Sequence, residues 1–280
     1  AHHDKMAKRL MTPSQEISVQ SATEVQCQTY RGTYEWTDSE YNIPTYAFQN
    51  GVKQGLGLPQ VLHPDFNKNA MADCPLCGVN DFLEPTGKHL MRCNAITRQP
   101  RHNLIRDDQA KLLPMISTQT EPEGMIPGTQ HRPADLLYPP MGSRHSTAVD
   151  HTVIDPFQPS VRYPITDLQT ERLPRYDPAT KFAEKRKRLA FNRKCADGVN
   201  FDYNTANWKF AVFAVTQYGA VGEQGHKLMK RCVVHVGSQQ WAERKRITMR
   251  RFYERVSVST LIGNVQIMEH AKMKLDRSQR

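Results

Sequence analysis

Apolar and polar positions change texture several times along the 280 residues. Residues 1 to about 60 are polar and weakly periodic, rich in Thr, Gln and Ser, with scattered aromatics in "YEWTDSEYNIPTYAFQNGVKQGLGLP". At best partial order is expected over 1–64. The first periodic stretch is "RHNLIRDDQAKLLPMI", where Leu104, Ile105, Leu112 and Leu113 recur at near-helical intervals. "STQTEPEGMIPGTQH" gathers Glu, Pro and Gly and reads as a linker, 116–130. Beyond it, "RPADLLYP" is a short predicted strand, "MGSRHS" a turn, and "TAVDHTVIDPF" a second strand rich in β-branched residues, so the two strands predict a hairpin.

A Pro-rich crossing, roughly 156–178, leads into "ATKFAEKRKRLAFNRKCADG". This is a predicted helix with Phe182, Leu189, Ala190 and Phe191 as apolar contacts and Gly198 as its stop. "WKFAVFAVTQYG" is nearly all apolar and is expected to lie centrally in its sheet. Helical texture returns from about 221 to the end, with breaks expected near "GSQ" and "IGN". No internal repeat is seen. The pattern predicts an α+β fold: a small mixed β-sheet flanked by helices. The expected segments are 1–64, 65–115, a linker at 116–130, a sheet-bearing domain at 131–238, and basic helices at 239–280.

Composition narrows the partners. A hydrophobic share of 38% with 18 prolines is low for one compact core. The formal charge of +10 and pI of about 9.4 suit a polyanion, most often nucleic acid. The start "AHHDKMAKRL" has no apolar core and nothing later reaches membrane-spanning length, so an intracellular, reducing setting, nuclear or otherwise, is expected, with no membrane partner. Because the chain opens on Ala, it is expected to be a piece of something longer.

Cys74-Pro-Leu-Cys77, an 11-residue gap, then His89 and Cys93 three residues apart form a ligand set for one tetrahedral zinc. Gly78 lets the backbone turn, and "GKHLMRC" sets its two ligands on one face of a helical turn. Ordinary buried cysteines are the plainer alternative. Cys27, Cys195 and Cys232 show no pattern.

Asp135 and Asp150 sit inside the two apolar strands, where an unpaired carboxylate is expensive to bury. On neighbouring strands they can share Mg²⁺, which takes oxygen ligands and activates water at a phosphoryl group. Against this, either Asp could cap a turn or pair with Arg132 or Arg144, and Asp155 reads as a turn residue. "KFAEKRKRLAFNRK" holds seven basic residues and one acid, Glu184. Lys185, Arg186 and Arg188 are candidates for phosphate contact, Lys187 or Lys185 for a reacting-group lysine, and Glu184 for a further metal ligand. The same run also reads as a solvated helix face or a nuclear-import signal. "ERKRITMRRFYER" offers Arg250 and Arg251 to phosphates, or is an amphipathic helix burying Ile247, Phe252 and Val256. "RDDQ" lacks the apolar flanks of a polymerase aspartate pair.

The order of these pieces, a Cys-Cys-His-Cys knuckle, "RH" with a helix, "RPADLL", "AVDHTVIDP", an "AE" helix and an apolar strand, resembles the C-terminal region of non-LTR retrotransposon polyproteins. It covers roughly residues 55–235. In that family the knuckle precedes a restriction-like endonuclease domain of the PD-(D/E)xK superfamily, associated with a reverse transcriptase. The resemblance implies that Asp135 and Asp150 bind magnesium, that Lys187 is the catalytic lysine, that Glu184 matches the "AE" step, and that Cys74, Cys77, His89 and Cys93 bind structural zinc. It also implies DNA as target, the element's RNA as a further partner, and nicking that leaves a 3′ hydroxyl to prime reverse transcription. Departures are His151 in place of the usual Val, Ala190-Phe191 in place of Lys-Tyr, and a long connector before the helix. The alternative is a catalytically inactive, zinc-stabilised nucleic-acid-binding module; a scaffold segment of a larger polyprotein is a third reading.

Overall fold

The β-branched run at 146–154 becomes the strand on which the others assemble. The computed structural model describes residues 74, 76–78, 87–112, 116, 118–123, 125–126, 131–132, 134–141, 143–156, 158, 160–161, 176–196, 208–236 and 242–278, together with positions 49 and 53. Apart from those two positions, the expectation for 1–64 lies outside the described residues, as does Gly198. The elements are α1 (Lys88–Arg92), α2 (Gln99–Leu112), β1 (Gln119–Thr120), β2 (Leu136–Tyr138), β3 (Ser146–Ile154), α3 (Pro178–Ala196), β4 (Trp208–Thr216), α4 (Glu223–Val236) and α5 (Ala242–Ser278).

The protein mixes α and β structure around a four-stranded mixed sheet in the order β1-β2-β3-β4. β2 and β3 pair antiparallel, with Leu136 opposite Val149, and form the expected hairpin. β3 and β4 pair parallel from Ser146 opposite Trp208 to Ile154 opposite Thr216. Alternation along β3 sends successive side chains to opposite faces. Ala148 and Ile154 pack with Ala179, Ala183 and Phe191 of α3. Val149 packs on the other side with Ile105 of α2, Leu228 of α4, and Phe252 and Val256 of α5.

Three sequence expectations are corrected here. β4 is not central, because it closes one end of the described sheet. Its apolar character comes from helices on both faces: Phe210, Val212 and Ala214 meet α3, while Ala211, Phe213 and Val215 meet the opposite core. The interval 116–130 is not simply a linker. It supplies edge strand β1 and the buried residues Ile116, Pro122 and Ile126, and Arg106 of α2 pairs with Glu121 there.

The third correction concerns "IGN". α5 runs unbroken through Ile262-Gly263-Asn264. Gly263 marks a close helix crossing instead: a Cβ there would meet Arg101 Cβ, Cγ and Cα at 2.5, 2.6 and 2.7 Å. Arg101 is buried, and its Nη1 donates to Asn264 Oδ1 at 2.6 Å, while Asn264 Nδ2 donates to the Gln217 carbonyl at 2.7 Å. One polar chain therefore links α2, α5 and the end of β4. Burial lowers Arg101 to about 10, with Arg98 adding to the fall and Asp155 opposing it, so it stays charged at neutral pH. Further along α5, Val265, Ile267, Met268 and Ala271 pack against Leu90, Met91 and Ile96, so the segments expected as separate, 65–115 and 239–280, share a core.

Gly263→Ala should destabilise the fold by about 1–3 kcal/mol, because backbone as well as side chain must give way. Thermal denaturation checks this, and an unchanged melting temperature would contradict the close crossing.

Candidate functional site

Asp150 is at the middle of β3, on the face that meets α3. Lys187, placed by α3, puts its Nζ 3.1 Å from Asp150 Oδ1 and 3.0 Å from Oδ2. Side-chain exposures of 17% for Asp150 and 32% for Lys187 leave the pair reachable from solvent. Burial pushes the Asp150 carboxyl up to about 6; Lys187 pulls it down, and Asp135, a neighbouring negative group within hydrogen-bonding reach, pushes it up. Sequence reasoning put Asp135 inside its strand, but it falls one residue before β2. Its N–H still donates to the Val149 carbonyl at 2.9 Å, which keeps it in register with β3. Asp135, Asp150 and Lys187 thus come together.

Two histidines hold Asp135. His102 of α2 brings Nε2 to 3.3 Å from Oδ1. His151 donates its backbone N–H to Oδ2 at 2.5 Å. The His151 ring Nδ1 lies 3.4 Å from the same oxygen, outside hydrogen-bond geometry. Burial pushes the Asp135 carboxyl up, but His102 and His151 outweigh it and hold it well below the usual carboxylate range. Burial lowers His151 in turn, against the pull of Asp135. Since the buried ring resists a proton, the arrangement is a carboxylate beside a neutral imidazole, with His102 and the His151 backbone N–H as its nearest donors. Sequence reasoning missed His102. Its signal was the "RH" at the head of the helix, which carried no role.

Glu184 does not join the carboxylates. It is buried against the start of α4, where Oε1 accepts from the Gln224 backbone N–H at 3.0 Å and Oε2 from the Gln224 side chain at 3.4 Å. The first turn of a helix leaves N–H groups unsatisfied, and a carboxylate there answers both the donors and the dipole. A side chain at Gly222 would collide with Glu184, so this contact depends on glycine. Arg188 also turns inward: it donates to the Gln224 side chain at 2.8 Å and to the Phe210 carbonyl at 3.3 Å. The expected roles of Glu184 as metal ligand and Arg188 as phosphate contact are corrected accordingly. Lys185 and Arg186 remain exposed on α3, and Arg251 on α5. The side chain of Arg250 lies outside the described residues.

Cys74, Cys77, His89 and Cys93 bring one ligand atom each to within 4.8 Å of one another, a group that could hold a metal ion. Cys74 Sγ is 4.0 Å from Cys93 Sγ, and Cys77 Sγ is 3.4 Å from His89 Nε2. A tetrahedron with bonds of about 2.0–2.3 Å has edges of roughly 3.5–3.8 Å, so donors spread over up to 4.8 Å need only draw in to close on one ion. The turn at Gly78, with φ of 68°, and its N–H to the Cys74 carbonyl at 2.8 Å shape the first pair. His89 lies in α1 and Cys93 caps it. Burial, opposed by a bond from the Ala95 backbone and reinforced by the other thiols, pushes Cys93 up to about 12, so a cation is what would draw thiolates here.

Set against models of known protein families and against curated proteins, the chain matches none. Among the described residues, no helix is long and apolar enough to cross a membrane.

In Lys187→Met the Asp150 carboxyl should titrate above its value of about 6, since a cation favouring the charged form is gone. Carbon-13 NMR of the carboxyl carbon reads this. The sign for stability follows: a carboxyl raised from 3.8 on folding adds stability below pH 4 that is lost as pH rises through about 6. The variant should carry that loss to higher pH, and an unmoved titration would mean the ammonium does not act on Asp150.

Proposed function

We propose that this protein is a metal-dependent DNA endonuclease that nicks duplex DNA, of the restriction-like kind attached to non-LTR retrotransposon proteins. The observation that carries the reading is the meeting of Asp150, Asp135 and Lys187, from two neighbouring strand segments and the following helix, at a partly exposed place. Carboxylates gathered away from bulk water answer best to a cation, and Asp135 and Asp150 would hold Mg²⁺. When bound, such an ion acidifies water and stabilises charge on a phosphoryl group. Lys187 neutralises Asp150 and presents an ammonium for the scissile phosphate. Exposed Lys185, Arg186 and Arg251 would meet the phosphate backbone, so affinity should fall steeply with salt.

The Cys74–Cys77–His89–Cys93 group we read as a structural zinc site. Closed four-ligand sets of this kind stabilise folds rather than catalyse, and here the ligands form one core with α5. DNA is the proposed partner; the element's RNA and a nuclear setting belong to the same reading.

Purified protein should nick supercoiled plasmid with Mg²⁺, and Asp150→Ala should lower the rate by about a hundredfold or more, since the ion supplies several kcal/mol of transition-state stabilisation. Equal cleavage by both proteins would sink the reading. DNA binding without cleavage by either would leave a nucleic-acid-binding module instead. Elemental analysis should find one zinc per chain, and Cys93→Ser should lose it and melt at lower temperature. A metal-free wild type with an unchanged melt would remove the zinc assignment.

A further inference from the structure

His151 Nε2 lies against the side-chain amide of Gln109, deep between β3 and α2. Placing the amide oxygen toward the ring creates a conflict. Nε2 must then carry the proton, and Nδ1 turns a lone pair toward Asp135 Oδ2, acceptor facing acceptor at 3.4 Å. Two buried polar atoms are left unpaired in that arrangement, His151 Nδ1 and the Tyr138 hydroxyl. The same amide lies beside that hydroxyl. His151, Gln109 and Tyr138 are 2%, 2% and 1% exposed, so water cannot relieve either atom.

A side-chain amide has nearly the same shape in both orientations. Turned over, its NH₂ faces His151 Nε2, the ring proton moves to Nδ1, and the acceptor-on-acceptor conflict with Asp135 is removed. The only contact given up is a weak one, from the amide to Met229 Sδ at 3.7 Å. We propose that Gln109 and His151 are positioning residues for Asp135: Gln109 Nε2–H donates to His151 Nε2, which puts the ring proton on Nδ1, facing Asp135 Oδ2 at 3.4 Å. This rests on the reading of Asp135 as a holder of the catalytic cation.

This pairing explains how a carboxylate at the end of a three-residue strand keeps one aim. Oδ2 accepts from the His151 backbone N–H, with the ring Nδ1 3.4 Å away, and Oδ1 is met by His102. The rings of His102 and His151 stand edge to face at 6.1 Å, and Phe213 closes the other side of His151 at 5.2 Å. The other neighbour of Asp135 is the carboxyl of Asp150, which carries Lys187. His151 is also the residue that departs from the valine usual in the family this chain resembles. Valine offers no side-chain donor, so here the support of the carboxylate is built differently.

Long-range ¹⁵N–¹H NMR of the histidine rings in the full chain tests this pairing directly. His151, assigned by its absence in His151→Val, should be protonated at Nδ1 with a bare Nε2. Protonation at Nε2 overturns the proposal whatever the enzyme does. In nicking assays, Gln109→Leu and His151→Val should raise the Mg²⁺ needed for half-maximal rate by about 10–100-fold, the size expected when partners of a metal ligand are removed. DNA affinity without Mg²⁺ should stay as in the wild type. A lower melting temperature with an unmoved Mg²⁺ requirement would make both residues merely structural. A wild type whose nicking ignores Asp150→Ala would remove the nuclease reading, while the ring's protonation still decides the pairing.

Discussion

β3 carries a carboxylate on one face and an imidazole on the other, each taken out of bulk water. Burying such groups is tolerable only where partners meet them. Asp150 draws Lys187 from α3, and His151 draws Gln109 from α2. Asp135, one residue before the adjoining strand, draws His102. Because the helices above and below the sheet must each deliver a polar group to a set position, their rotation about their own axes is constrained. Apolar packing alone would leave that rotation loose, since Val, Leu and Ala tolerate sliding more readily than a hydrogen bond does. The site and the arrangement of layers therefore share one requirement.

α5 plays a different part. At 37 residues it is roughly 55 Å long, enough to cross more than one core. Phe252 and Val256 sit under the sheet, while Val265, Met268 and Ala271 pack with the cysteine-bearing segment. Between them Gly263 lets Arg101 pass, and Ser259 meets Asp108 of α2. Lys274 adds a bond to the Ala95 carbonyl. The short cysteine- and histidine-bearing segment is thereby given a core by a helix some 170 positions away.

Much of this was legible from the chain, and for identifiable reasons. Ligand spacing at Cys74, Cys77, His89 and Cys93 is a local property, as are the β-branched run of β3 and the turn before it. The meeting of Asp135 with Asp150 follows from the hairpin, whose register is set by neighbours in sequence. What could not be read depends on distant partners. Glu184 looked like a ligand as the one acid of its helix and by its match to the "AE" step, yet its carboxylate is taken by Gln224 at the start of α4. The nearly all-apolar β4 looked central because burial on two faces resembles burial between two strands. "IGN" looked like a break because a glycine serving a crossing is written with the same letter as one ending a helix. Nothing local names the partners of His102 and Gln109, which lie 33 and 42 positions away.

The parallel ladder of β3 and β4 joins positions 62 apart, from Ser146 with Trp208 to Ile154 with Thr216. Closing so long a loop is entropically unfavourable, and such pairings tend to form late. Until β4 docks, Asp150 has one open flank and stays hydrated. The intervening stretch includes α3, so its lysine is already tethered close by when that flank shuts. A chain in which β4 docks last never passes through a stage in which a bare negative charge is sealed away from solvent.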